Sequence, residues 1–224
     1  RENIFLIQTP QIFNYKKLYK LQTDKSSDIT DDAHLFIKAN EKIKIINGEE
    51  INNKITISAD INGINNISYG LGFDVHRLVP NKILYLGGIK IPSPIGTLGH
   101  SDGDPVLHAI IDSILGACAL GDIGEKFSDT NKKFKNIRST ILLKNIIEKI
   151  KINNFIINNI DINIITQKPK IKKYKKKIMI SISRLCKILP TQVNIKGKTT
   201  EKLGLIGKEK AIACEVITSV IRND

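Results

Sequence analysis

Residues 69–76 read Tyr-Gly-Leu-Gly-Phe-Asp-Val-His, an unbroken alternation. A period of two sends successive side chains to opposite faces of a strand. One face takes Tyr69, Leu71, Phe73 and Val75, and the other takes Gly70, Gly72, Asp74 and His76. A helix would scatter both sets round its axis, so this stretch requires a sheet. The second face is expected to set a carboxylate and an imidazole beside open space left by two glycines. Side chains two residues apart on that face can share one divalent ion. An ordinary exposed strand shows the same Asp-x-His, so this spacing alone leaves both readings open.

The neighbouring punctuation predicts the remaining elements. Lys82 to Lys90 reads as a second strand and Pro92 to Gly103 as a loop. Asp104 stands as a helix N-cap with Pro105 at the first helical position, and that helix should run to about Leu120 and stop at Gly121. Ser139 is expected to cap a helix with Leu142, Ile146 and Ile150 on one face. Ile160, Ile162 and Ile164 alternate as a strand, and Lys175 to Leu189 reads as an amphipathic helix ended by Pro190. Val193 to Lys196 and Ala211 to Ile221 close the set as strands. Strands and helices mixed without strict alternation predict an α+β fold, a mixed β-sheet with helices packed on one face. Residues 1–66 differ, being rich in Asn, Lys, Ile, Ser and Asp. They read as a low-complexity N-terminal extension of loose structure, in which Lys42–Ile46 and Lys54–Ile57 could pair as strands. Residues 67–224 form the folded domain.

The chain's formal charge of +13 raises phosphate-bearing partners, and it is carried by one segment. Residues 132–187 hold sixteen basic and two acidic residues, whereas residues 1–68 balance at nine of each. Tyr174 is the only aromatic in the Lys170–Lys177 run and the chain lacks Trp, which leaves few platforms on which bases could stack. Cys118, Cys186 and Cys214 form no Cys-x-x-Cys pair and read as buried free thiols. No apolar run reaches the length of a bilayer span, so a soluble chain without a membrane partner is expected.

A second cluster of metal-capable groups lies in His100-Ser101-Asp102-Gly103-Asp104-Pro105-Val106-Leu107-His108. His108 shares a helical stripe with Asp104 and Asp112, four residues to either side. A satisfied core histidine paired with Asp112 is one reading of that stripe, and a metal ligand is the other. Three of the four histidines fall within residues 76–108, which favours the metal. Two His and one Asp with a fourth position open would be a catalytic zinc arrangement.

Three further stretches could handle phosphates. Thr199-Thr200-Glu201-Lys202-Leu203-Gly204 sets adjacent hydroxyls and a carboxylate at a strand end, suited to a phosphate with Mg²⁺ or equally to a helix N-terminus. Gly121-Asp122-Ile123-Gly124 and Phe127-Ser128-Asp129-Thr130 form a polar loop after the long helix. Thr166-Gln167-Lys168-Pro169-Lys170 exposes backbone groups that could read a base edge, or merely turns the chain.

In this order, the motifs Gly72–His76, His100–Asp104 with His108, Ala119–Gly124, Gln167–Lys170 and Thr199–Gly204 closely resemble 2-C-methyl-D-erythritol 2,4-cyclodiphosphate synthase. The resemblance spans about residues 67–222. It implies an α+β homotrimer with active sites between subunits. It also implies a small-molecule cytidine diphosphate substrate, which is cyclised with release of CMP in the non-mevalonate route to isoprenoids. Carried over, Asp74, His76 and His108 would bind Zn²⁺, and Glu201 would help bind a second cation, Mg²⁺ or Mn²⁺. His100 and Thr199 would stabilise the transition state. Ser101, Asp122, Ile123 and Gly124, with Phe127, Ser128, Asp129, Thr130 and Asn131, would hold the methylerythritol part. Thr166, Gln167, Lys168, Pro169, Lys170, Ile171 and Lys172, with Lys198, Thr199 and Thr200, would form the cytidine and phosphate pocket.

Leu205 stands where the family has an aromatic residue, and Lys208 where it has Arg. Lys keeps the charge but loses the bidentate fork. The leader, the biased composition and the opening Arg1 suggest import into a plastid-type organelle such as an apicoplast after removal of a targeting segment. Two rival functions remain at this level, a zinc phosphoesterase and a basic nucleic-acid-binding module; the resemblance implies no nucleic-acid partner.

Overall fold

The computed structural model describes residues 8–22, 31–49, 52, 54, 67–99, 101–128 and 137–222. The chain divides into two units, Arg1–Asn65 and Asn66–Asp224. In the first, α1 (Tyr15–Gln22) and α2 (Asp32–Lys38) are helical. Asp31 caps α2 by accepting the His34 N–H at 2.9 Å, and Phe36 is buried with its ring 4.9 Å from that of Phe13. The strand expected at Lys42–Ile46 does not form, and most of its partner Lys54–Ile57 lies outside the described residues. Among the described residues no strand pairs with this stretch, so its alternating Ile43 and Ile45 stay exposed.

The second unit begins with β1 (Ile67–Pro80), the alternating run of the sequence. It continues with β2 (Leu84–Leu86), β3 (Ile89–Ile91), β4 (Ile95–Leu98), α3 (Pro105–Ala117), α4 (Ile123–Lys126) and α5 (Ser139–Ile152). Then come β5 (Phe155–Ile165), α6 (Lys175–Cys186), β6 (Val193–Lys198), α7 (Gly204–Gly207) and β7 (Ala211–Arg222). The mixed sheet runs β4-β1-β7-β5-β6, antiparallel except for β5 against β6, and β2 with β3 forms a separate hairpin. The α+β class is as expected.

Several boundaries differ from expectation for identifiable reasons. Lys82–Lys90 is not one strand, because Gly87 and Gly88 take positive φ of 62° and 83° and turn it into a hairpin. The expected loop Pro92–Gly103 contains β4, which pairs with the end of β1. Ser139 is the first residue of α5 rather than its cap. α3 stops at Ala117, short of Leu120, and α6 stops at Cys186, where Lys187 enters the left-handed region.

The faces of β1 are the main correction. Gly70 and Gly72 do not border open space, because α3 lies directly on them. A Cβ at Gly72 would stand 1.9 Å from Ala109 O, and one at Gly70 would stand 2.0 Å from Ser113 O. Across the sheet, Gly72 aligns with Val216, Ile162 and Ile195, so this face is the core. The aromatic and aliphatic face is the bare one, with Tyr69 69%, Leu71 63%, Phe73 57% and Val75 54% exposed. The three cysteines are buried free thiols, as expected, and burial pushes Cys118 up to about 11.

Candidate metal centre

Two elements build the centre. On β1, Asp74 aligns with Cys214 and His76 with Ile212, both on the helix-covered face. On α3, His108 lies one turn after the N-cap and faces back to β1. Asp104 fixes that helix terminus. It is wholly buried, and its Oδ1 accepts N–H groups from Gly87 at 3.0 Å, Val106 at 3.1 Å and Leu107 at 3.1 Å. Its Oδ2 accepts the Gly88 N–H at 2.6 Å. Burial pushes this carboxyl above the ordinary range, while the backbone donors favour its ionised form. One side chain therefore caps α3 and clamps the hairpin tip to it.

Asp74 Oδ2 lies 2.9 Å from His108 Nδ1 and 3.1 Å from His76 Nδ1. The ligand atoms of the three residues fall within 4.8 Å of one another, and the imidazole centroids are 5.2 Å apart. Burial alone would raise the Asp74 carboxyl, but the facing imidazoles of His108 and His76 outweigh it and hold it at about 2. Burial would lower His108, and the Asp74 carboxylate reverses this and raises it. Glycines bracket the His76 ring: a Cβ at Gly99 would stand 3.0 Å from its Nε2. His76 Nδ1 is buried and, although close to Asp74, satisfies no hydrogen-bond geometry. One carboxylate oxygen and two imidazole nitrogens, one of them orphaned, fit a divalent transition metal.

The expected His108–Asp112 pair does not form. Asp112 Oδ1 instead accepts the Ile123 N–H at 2.8 Å, because the chain after α3 folds back over the last turns of that helix. This contact brings Asp122, Ile123 and Gly124 to the α3 residue one turn from His108. Asp122 caps α4 through the Glu125 N–H at 2.9 Å, and Phe127 packs on the core. Ser101 Oγ lies 3.0 Å from His108 Nε2. His100, Asp129, Thr130 and Asn131 lie outside the described residues; exposed Ser128 is described.

A second group gathers at the ends of β5 and β6. The Thr166 N–H donates to Lys198 O at 2.9 Å, and Thr166 Oγ1 donates to Lys168 O at 2.6 Å. The Lys202 N–H reaches Gln167 Oε1 at 3.4 Å, and Lys168 pairs with Glu209 at 2.9 Å. Thr199 Oγ1 donates to Glu201 Oε1 at 2.7 Å in a turn where Glu201 and Lys202 take positive φ. Lys170, Lys172, Leu205 and Lys208 are exposed, and Pro169 is half-buried. Ile171 is instead a core side chain seated against Gly197, where a Cβ would meet it at 2.9 Å. Glu201 is not part of the metal-capable cluster. β7 and β5 intervene between β1 and β6, a separation of roughly 14 Å at about 4.8 Å per strand.

Sequence reasoning missed the contacts that join Ser139 to His108, Asp102 to Ser139 and Arg138, and Arg138 to Tyr85. Asp102 and Ser139 are 37 residues apart, so no local spacing joins them.

The model of the YgbB family matches residues 67–221. The chain belongs to the YgbB family. The model of 2-C-methyl-D-erythritol 4-phosphate cytidylyltransferase matches residues 1–67, the stretch that reads as low-complexity. Among curated proteins, the bifunctional enzyme IspD/IspF of Pelagibacter ubique is 73% identical over all of this chain, which spans 60% of that protein. Among solved structures, IspF of Plasmodium falciparum, a CDP complex, is 41% identical, covering 71% of this chain and 99% of that one at a TM-score of 0.63. The bifunctional IspDF of Campylobacter jejuni is 39% identical over 100% of this chain and 62% of that one, at a TM-score of 0.68. YgbB membership bears out the resemblance to the cyclodiphosphate synthase. The plastid expectation is corrected: the similar full-span relatives are bacterial, and the residues taken for a leader match a cytidylyltransferase model instead. No helix among the described residues is long and apolar enough to cross a membrane.

Proposed function

We propose that residues 67–224 cyclise 4-diphosphocytidyl-2-C-methyl-D-erythritol 2-phosphate to 2-C-methyl-D-erythritol 2,4-cyclodiphosphate with release of CMP. The observation that carries this reading is the Asp74–His76–His108 cluster within the span that matches the YgbB family. These three residues would hold Zn²⁺, and Glu201 would help hold Mg²⁺ or Mn²⁺. When bound, the metals would supply a Lewis acid for the β-phosphate and neutralise the charge of the leaving CMP.

An oxygen of the 2-phosphate forms a bond to the β-phosphorus as the bond from that phosphorus to the bridging oxygen breaks. CMP departs with the bridging oxygen, and no water enters. The two anionic phosphates repel each other, so the chain's task is orientation and charge stabilisation. His100 donates a hydrogen bond to the reacting phosphates, and Thr199, bonded to Glu201, helps stabilise the transition state beside it. Ser101, Asp122, Ile123 and Gly124, with Phe127 to Asn131, hold the methylerythritol part. Residues 166–172 and 198–200 take the cytidine and its phosphates, with Lys208 as a point charge and Leu205 as apolar surface.

The same reading makes the active form a homotrimer. The metal cluster and the Glu201 turn lie on strands roughly 14 Å apart, and a neighbouring subunit brings the two together. The exposed Tyr69, Leu71, Phe73 and Val75 supply an apolar surface for association. Residues 1–67, in this reading, belong to a cytidylyltransferase module, so that the whole protein joins cytidylyl transfer to cyclisation.

The test is CMP release from the cytidine diphosphate substrate in water enriched in heavy oxygen. Turnover that stops with chelator and yields an unlabelled cyclic product is expected. Solvent oxygen in the product would identify a phosphoesterase and overturn the proposal.

A further inference from the structure

Behind the metal-capable cluster, His108 Nε2 meets Ser139 Oγ at 2.9 Å and Ser101 Oγ at 3.0 Å. Ser139 is wholly buried and has one hydroxyl proton to give. That proton goes to Asp102 Oδ1 at 2.5 Å, which also accepts the Ser139 backbone N–H at 3.1 Å. A carboxylate only accepts, so Asp102 returns no proton. Its other oxygen lies 2.8 Å from Arg138 Nε. Arg138 is itself held, stacked 4.0 Å over the Tyr85 ring and donating to Gly88 O at 3.3 Å.

With its proton committed to Asp102, Ser139 Oγ offers His108 only lone pairs. An imidazole nitrogen that faces an acceptor carries the hydrogen, and this leaves the other nitrogen free for a metal. Nε2 is therefore an N–H of His108, which leaves Nδ1 as the nitrogen to coordinate a metal. In the metal-free ring Nδ1 faces a second acceptor, Asp74 Oδ2 at 2.9 Å, and a bound metal would displace any hydrogen held there. Ser101 does not impose the same choice. Its Oγ accepts the Gly103 N–H at 3.2 Å and keeps a proton that it can turn toward Nε2.

We infer that Asp102 and Ser139 are positioning residues, a carboxylate–hydroxyl relay that fixes the ring orientation and tautomer of His108 so that Nδ1 faces the metal. The inference rests on the metal-binding reading above. Neither residue touches the metal or the reacting phosphates; both act through His108. Outer partners of this kind change metal affinity by about 10- to 100-fold. Removal of the Ser139 hydroxyl leaves Ser101 as the partner of Nε2, able to donate to it and so to favour the tautomer with its hydrogen on Nδ1.

The test is a Zn²⁺ titration of the full chain against a chromophoric chelator, with Ser139→Ala, Asp102→Asn, the double variant and His108→Ala as reference. Folding of the zinc-free proteins is followed by circular dichroism. Wild type should bind about one Zn²⁺ per chain, and each single variant should bind about 10- to 100-fold more weakly with its fold intact. The double variant should be no weaker than the weaker single variant by more than about threefold, because one relay carries both effects. Affinities within about twofold of wild type in both single variants, or losses that multiply in the double variant, would overturn the inference while the metal reading stands. If Ser139→Ala does not fold, Asp102→Asn decides by the same margin. A wild-type chain that takes up no Zn²⁺ overturns both the metal reading and the inference.

Discussion

At the residue scale, the centre depends on side chains that bond to more than one element. Asp104 satisfies four backbone N–H groups, two on the β2–β3 turn and two in the first turn of α3. Asp104→Asn replaces one acceptor oxygen by a donor that confronts another donor in a fully buried site. Leaving such groups unpaired costs about 1–3 kcal/mol each, so a loss of about 3 kcal/mol in urea unfolding is expected. A loss below about 0.5 kcal/mol would show that the clamp contributes little. The N-cap role of Asp104 was legible from Asp-Pro spacing, because capping is local. Its clamp on Gly87 and Gly88 was not, since those partners sit 16 and 17 residues earlier. The same division separates His108, found by helical spacing, from Asp102 and Ser139, which reach it only through tertiary contact.

At the element scale, alternation in β1 identified the strand and the two faces but placed open space on the face that is the core. Glycines without side chains suggested space, whereas the fold uses them to bring the backbone of α3 onto the strand. That approach holds His108 against Asp74, so the β1–α3 distance sets how the metal-capable groups meet. Gly72→Ala would put a methyl 1.9 Å from Ala109 O and push the two elements apart. A stability loss of about 3 kcal/mol is expected, with weaker Zn²⁺ uptake in whatever fraction folds. Wild-type stability and uptake in Gly72→Ala would show that the strand–helix approach is not what sets the centre. The sheet order was not legible, because period-two strands carry no record of their neighbours. The turn at Gly87–Gly88 was legible in principle, since paired glycines between short apolar runs signal a hairpin.

At the scale of the whole molecule, the bare face of the sheet is divided. Tyr69, Leu71, Phe73 and Val75 make one half apolar. The other half is polar, with Asn163 donating to Glu215 at 3.1 Å and Asn194 donating to Asp161 at 2.8 Å. An apolar strip of this kind is what a neighbouring subunit would bury, and the trimer proposed above makes its burial a condition of activity. Phe73→Lys separates association from folding. Phe73 stands directly opposite Glu215 on β7, so a lysine there gains an opposite-charge partner within its own sheet. The isolated chain should fold and keep its zinc, because Asp74, His76 and His108 all come from one subunit. Association should fail, because the same lysine would carry its charge into an apolar interface. Light scattering should report a monomer in place of a trimer. CMP release should fall to about a hundredth or less, because the Glu201 turn no longer meets the metal cluster. A zinc-loaded monomer with full turnover would show that one chain completes the site, and the trimer would lose its place in the mechanism.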